Sequence, residues 1–386
     1  MSPRFRLLVS VLASFVAGCA TDITIGTLEH DDPPDTSPAP LVPAPPATAP
    51  PALIAITDDA LVVVDSDSGA VLGRSALARA EGGYELDAAW LAGADGGSAV
   101  VRSQVSVDEL AGDLAAYPIE PSGALGVPAR LGDVYGETSV LVTPFGVVVT
   151  QADMGERWRL LPAGGGFTPS VACGRPLSVR PIAVDATAAR YEALSFWPEQ
   201  ALSSVDVEVA ADRVVACTPR PIVGYGGASP SVRLVELGVG YARALADVAD
   251  GDAVIAALDG YDVVSTATTP FGASRLEGAL TFARGDGTTD LVLLGSDPAR
   301  LAWVRVGLDG SGHVVIARAD VVELGGDVAR AERAPGRSLA VAGDRVFVAT
   351  SAGLEAFVVD GAAGEIISEP PRFAGLRGPI ATVTLP

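Results

Sequence analysis

The 386-residue chain carries 26 basic side chains, all of them Arg, against 47 Asp and Glu, for a formal net charge of -21. A balance this acidic has no surface for neutralising phosphates, which excludes nucleic acid as a partner, and the lack of Lys excludes a Walker A loop and Schiff-base chemistry. With 49% hydrophobic and 19% charged residues the chain can bury a sizeable core.

At the N-terminus, Arg4 and Arg6 precede the apolar run Leu7 to Val16 (LLVSVLASFV). This is the length of a signal-peptide core and falls well short of the roughly 20 residues that span a bilayer. Val16-Ala17-Gly18-Cys19 follows, and it resembles the bacterial lipobox, in which an aliphatic residue and two small ones precede the Cys that is acylated before cleavage. The resemblance implies that residues 1–18 are a lipoprotein signal peptide and that Cys19 becomes the lipid-bearing first residue. Two or three acyl chains, at about 0.8 kcal/mol per buried CH2, would hold it on a bilayer permanently. Ala20, in place of an acidic residue, points by the same resemblance to the outer membrane of a Gram-negative envelope, with the side of that membrane left open. The competing reading is an ordinary signal peptide that leaves Cys19 as a thiol.

Residues 19–51 form the lipidated N-terminus and a tether. From Asp31 to Pro51 the chain reads DDPPDTSPAPLVPAPPATAPP, with nine prolines. Each fixes its own φ and biases its predecessor toward extended backbone, so the stretch is expected to be a semi-rigid spacer.

Residues 52–386 are expected to be one repeat-built domain. Leu61-Val62-Val63-Val64-Asp65 runs through Ser66-Asp67-Ser68-Gly69 into Ala70-Val71-Leu72, and Ala356-Phe357-Val358-Val359-Asp360 runs through a turn ending at Gly364 into Glu365-Ile366-Ile367. Both describe two strands joined by a tight turn whose Gly supplies positive φ. Weaker versions turn near Gly123, Gly165, Asp212, Gly260 and Gly310, and successive turns lie 42 to 54 residues apart. Four strand-like runs per repeat and almost no helical periodicity predict an all-β fold, a β-propeller of seven four-stranded blades, with six or eight as the alternatives. The first repeat is one strand short, and Pro379 to Leu385 is a strand-like run left over after the seventh hairpin. The C-terminal strand is therefore expected to complete the first blade and remove the open edge.

Asp65-x-x-Ser68-Gly69-x-Val71-Leu72 after an aliphatic strand resembles the repeat of the PQQ-enzyme-like and YVTN-like propeller superfamily, and Asp360-x-x-x-Gly364-x-Ile366-Ile367 keeps the aspartate, the glycine and the aliphatics. In the quinoproteins of that group a tryptophan follows four positions after the glycine; here those positions are Gly73 and Ser368. The resemblance thus implies the fold without the quinone-docking girdle. It also implies kinship with non-catalytic members, among them a lipoprotein of the outer-membrane assembly machine.

Candidate chemistry is sparse. Cys173 and Cys217 are the only thiols of the domain, in an oxidising compartment, and are expected either as a disulfide or as two buried free thiols; their similar contexts one repeat apart weigh against the bridge. His313 is the only domain histidine and follows the turn Asp309-Gly310-Ser311-Gly312, which argues against a zinc site and against a Ser-His-Asp triad. The acidic pairs Asp58-Asp59, Asp65-Asp67 and Asp250-Asp252 sit where turns are expected, and Asp caps turns with its own side chain. No cofactor is expected, save that Asp65-x-Asp67-x-Gly69 imitates the start of a Ca2+ loop, with Ala76 where the closing acid belongs. The reading at this level is a lipid-anchored envelope propeller acting as a binding or scaffolding module. Its partner is an unknown protein or small molecule that is neutral, cationic or bridged by divalent ions. The alternative is a propeller-class hydrolase or lyase acting on a carbohydrate, lactone or similar small substrate at the central channel.

Overall fold

The structure is a computed structural model; it describes residues 51–384 apart from 58, 78–83, 90–96, 105–110, 136–137, 152–155, 163–165, 198–200, 227–230, 242, 329–337, 343–344 and 371–379. The expected signal peptide, Cys19 and the expected tether up to Pro50 lie outside the described residues, while Pro51 opens the first strand.

Twenty-eight strands and no helix are found among the described residues, and they fall into seven antiparallel sheets of four. Blade 2 is built from β4 (Tyr84–Ala89), β5 (Gly97–Gln104), β6 (Ala111–Ile119) and β7 (Ala129–Tyr135), in sequence order from the axis outward. Blade 3 follows with β8 (Thr138–Thr143), β9 (Gly146–Gln151), β10 (Arg157–Pro162) and a two-residue β11 (Val171–Ala172). Blade 4 contains β12 (Ser178–Val184), β13 (Ala188–Ser195), β14 (Ser203–Ala210) and β15 (Arg213–Pro221). Blade 5 contains β16 (Arg233–Val235), β17 (Arg243–Ala249), β18 (Asp252–Asp259) and β19 (Asp262–Pro270). Blade 6 contains β20 (Arg275–Ala283), β21 (Thr289–Ser296), β22 (Arg300–Leu308) and β23 (Val314–Glu323). Blade 7 contains β24 (Leu339–Ala342), β25 (Arg345–Thr350), β26 (Gly353–Asp360) and β27 (Glu365–Ser368).

Blade 1 is composite. β1 (Pro51–Ile56), β2 (Ala60–Asp65) and β3 (Val71–Ala76) supply its outer three strands, and β28 (Ile380–Thr384) supplies the innermost. The register pairs Leu53 with Thr382 and Ile54 with Ala381. β28 also lies beside β24 of blade 7 and β4 of blade 2, so the two ends of the chain close the ring in one sheet. The fold is a seven-bladed β-propeller, as the repeat and its missing strand predict.

The core explains why the central strands read as unbroken apolar runs. There is one hydrophobic layer between each pair of neighbouring blades, so the middle strands of a blade are buried on both faces. Along β2, Leu61 and Val63 enter the layer shared with blade 2, while Val62 and Val64 enter the layer shared with blade 7. On β21, Leu291 and Leu293 face blade 5, and Val292 and Leu294 face blade 7. Strand side chains alternate, so both parities must be apolar. The outer strands have one wet face; along β19 residues 262–270 alternate between exposed and half-buried positions.

Candidate functional site

Several of the charged side chains buried in this ring sit at joints between blades. Glu192 on β13 faces Arg180 directly across the β12–β13 ladder. The Arg180 guanidinium donates to Glu192 Oε2 at 2.7–2.8 Å, Ser204 Oγ donates to Oε1 at 2.5 Å, and Arg243, the first residue of β17 in blade 5, also binds Oε1. Arg180 reaches onward to Glu236 of blade 5. The Glu192 side chain is only 2% exposed. Burial pushes its carboxyl upward, but the Ser204 hydroxyl and the two guanidinium charges outweigh that and hold it below the ordinary glutamate range.

Blade 6 repeats the arrangement. Asp290 on β21 lies directly across from Arg305 on β22, which binds it through two nitrogens at 2.8 and 3.1 Å, and Arg284 adds a third contact at 2.8 Å. Arg305 also donates to the Gly361 carbonyl in the last turn of blade 7. Burial again works against ionisation of Asp290, and its Arg305 and Arg284 bonds again hold the group low.

On β17 of blade 5, Asp247 accepts from Tyr225 Oη at 2.5 Å and from Ser231 Oγ at 2.8 Å, both on the connector from blade 4, while within blade 6 Ser296 Oγ donates to Glu277 at 2.6 Å. Arg233 sits among them, donating to the Val232 and Leu276 carbonyls. Burial pushes its guanidinium down to about 10, opposed by the Glu277 and Asp247 charges. Burial, and then the Asp247 carboxylate, push the Tyr225 phenol upward, so it stays a neutral donor. At the joint of blades 7 and 1, Arg345 binds Glu369 at 3.1 Å and Asp67 of the β2–β3 turn at 2.7 Å.

The Glu192 and Asp290 carboxylates, ringed by donors and held low, are poor general bases at neutral pH. What these groups can do is clasp one blade to the next. The sequence reading passed over them; the available signal was a charged residue inside an otherwise apolar strand, as with Glu192 between Tyr191 and Ala193.

The residues singled out from the sequence lie mostly in turns. Asp65 Oδ1 accepts from the Asp67 and Ser68 amides at 3.1 and 2.7 Å and from Ser68 Oγ at 2.7 Å, which holds its carboxyl below the usual range. Gly69 closes that turn at φ 74°, and Gly364 closes its counterpart at φ 71°, where Asp360 Oδ1 accepts from the Ala362 and Ala363 amides. With Asp65 committed to its turn and Asp67 to Arg345, these oxygens serve the hairpin and the blade joint. Among the described residues no three His, Cys, Asp or Glu side chains gather as a metal site.

His313 is exposed, with Nδ1 2.9 Å from Ser311 Oγ, and Asp309 accepts from Ser311 Oγ and from the Ser311 and His313 amides. The carboxylate binds the serine and the backbone instead of the imidazole, which is a capped turn and not a relay. Asp250 forms a turn between β17 and β18 at φ 52°, and Asp59 binds Thr57 and Arg74. Asp58 and Gly165 lie outside the described residues.

Cys173 and Cys217 are joined by a disulfide, with Cα atoms 5.3 Å apart. Their sequence contexts match but their blade positions do not. Cys173 follows the two-residue β11 at the edge of blade 3, whereas Cys217 lies within β15, opposite Val207. The short strand lets the chain turn toward blade 4.

Among the described residues, two surface cavities stand out. One of about 210 Å3 is lined by Leu77, Val101, Tyr117, Asp113, Pro128 and Arg130, and another of about 280 Å3 by Ser296, Asp297, Ala299, Asp327 and Val328. In the first, Arg130 is engaged by Asp113 and Asp133.

The sequence matches no known protein family and no curated protein. Solved structures with a similar fold include a candidate 6-phosphogluconolactonase from Bacteroides uniformis, at 11% identity over 86% of this chain and 100% of that one, with a TM-score of 0.53. A protein from Lactobacillus plantarum matches at 13% identity over 87% of this chain and 100% of that one, with a TM-score of 0.48. AztD from Citrobacter koseri matches at 13% identity over 86% and 98%, with a TM-score of 0.44. The likeness to the Bacteroides protein is one of fold alone.

Proposed function

We propose that this chain is a lipid-anchored β-propeller of the bacterial cell envelope that works as a non-catalytic binding or scaffolding module, held off the membrane by its Pro-rich tether. The observation that carries the non-catalytic half is the use of the buried titratable groups: Glu192 and Asp290 spend their oxygens on donors of which Arg243 and Arg305 tie one blade to the next, and Asp247 spends its own on Tyr225 and Ser231. Rigid clasps of this kind suit a platform whose loops and rim meet a partner. The acidic balance of the chain favours a partner that is neutral, cationic or bridged by divalent ions. The anchoring half is supported by Val16-Ala17-Gly18-Cys19 behind a basic, then apolar, N-terminus.

Two measurements test the halves separately. Fractionated envelopes should hold the wild-type chain in the membrane pellet and release a Cys19→Ala variant to the soluble fraction; a variant that stays in the pellet contradicts the anchor. Purified protein offered a panel of lactones and glycosides should show no turnover. Turnover that disappears with substitution of residues at the channel mouth would replace the binding module with an enzyme, the activity named for the Bacteroides structure being one to include.

A further inference from the structure

The joint between blades 3 and 4 differs from the clasped joints because a covalent bond crosses it. The outer strands of the other blades run from four residues in β27 to ten in β23, while β11 has two. It makes two register pairs with β10, Arg157 with Ala172 and Trp158 with Val171. Beyond it, the Cys173 and Gly174 amides share one acceptor, the Glu156 carbonyl, at 3.2 and 3.1 Å, and the Trp158 indole donates to the Gly174 carbonyl at 2.8 Å. Upstream, the Thr168 amide donates to the Leu160 carbonyl at 2.8 Å and the Leu160 amide donates to Thr168 Oγ1 at 3.1 Å. The segment 166–177 thus covers the edge of β10 with few ladder bonds, and the Cys173–Cys217 bond ties it to the middle of a nine-residue strand of the next blade. The two sulfurs also differ in access: Cys173 is fully buried against Trp158, and Cys217 is half-buried.

We infer that the Cys173–Cys217 bond is a redox-sensitive latch that holds the outer edge of blade 3 shut. The reductant is a dithiol. Its thiolate attacks Sγ of Cys217, the more accessible sulfur, and Cys173 leaves as a thiolate and takes up a proton. The second thiol of the reagent then displaces Cys217 and closes the reagent's own disulfide. The dithiol gives up two electrons and two protons, and the protein gains two thiols. Once the bond opens, the segment 166–177 keeps its hydrogen bonds to Glu156, Trp158 and Leu160, the Arg157–Ser170 contact and the packing of Arg159 on Phe167, but loses its covalent tie to blade 4 and swings away from β10.

Backbone hydrogen exchange on the intact protein, oxidised and after dithiothreitol, decides the matter, with alkylation and mass measurement reporting how far reduction went. The latch predicts that both thiols become alkylatable without denaturant and that the Thr168, Cys173 and Gly174 amides exchange at least tenfold faster, while those of β21 in blade 6 are unchanged. A Cys217→Ser variant should show the reduced pattern with no reagent. Full reduction with no change at those amides overturns the inference. So does loss of protection around the whole ring, which would make the bond a global staple, and so does a bond that dithiothreitol cannot open under native conditions. If the variant does not fold, the comparison on the wild-type chain decides alone.

Discussion

Glu192 concentrates the physics of the blade joints in one side chain. Its carboxylate lies across from Arg180, is capped by Ser204 and is bound by Arg243 from the next blade. Glu192→Gln keeps the shape and removes the charge, leaving two guanidinium groups to repel each other in a site with little water. Breaking a buried pair in this way costs about 3 kcal/mol, which chemical denaturation will measure; a loss under about 1 kcal/mol would show that solvent screens the site. The same groups set the acid limit. Glu192 and Asp290 have native values below their unfolded ones, so the stability they contribute is complete above about pH 4.3 and 3.9 respectively and is lost as pH falls through the lower native values. A Glu192→Gln/Asp290→Asn variant should be less stable at neutral pH and lose less on acidification, measured by denaturation between pH 7 and 3. Turn residues act differently. Gly364 holds φ 71°, and a Cβ there would also lie 2.6 Å from the Arg318 guanidinium carbon, so Gly364→Ala should cost about 1–2 kcal/mol. Gly69, at φ 74°, carries the same backbone demand, and Gly69→Ala should cost about 1 kcal/mol.

At the scale of elements, the hairpins were legible because their determinants are local. Aspartate, small polar residues and Gly in Asp65 to Gly69 and in Asp360 to Gly364 specify a turn within a few residues. The turns marked at Gly69, Gly123, Asp212, Gly260, Gly310 and Gly364 all fall between the third and fourth strands of a blade. The clasps were not legible in this way, since Arg243 meets Glu192 only after the ring has brought blades 4 and 5 together. The disulfide was half legible: the compartment argued for it and the spacing against it, and the sequence does not announce that β11 stops after two residues. Exposed ties are weaker than the clasps. Arg345 joins Asp67, whose side chain is 66% exposed, and Arg345→Ala should cost about 1 kcal/mol in chemical denaturation.

The whole molecule follows from a mismatch between the two ends of the chain. The sequence begins its first blade with three strands and ends with a strand that has no blade of its own, and the structure pairs them. Blade number was legible because the turn between third and fourth strands recurs at a nearly constant interval. Which surface would meet a partner was not, because the loops differ from blade to blade and obey no period. The account stands on the closure of the ring through β28. Residue-resolved hydrogen exchange at Thr382 and Val383, compared with Leu53 and Ala52, tests it most directly, since these pairs face each other in the ladder. Closure predicts protection of β28 matching that of β1, with both strands opening only when the entire propeller unfolds. Exchange of Thr382 and Val383 at the rate of an unstructured peptide, while Leu53 stays protected, would contradict it.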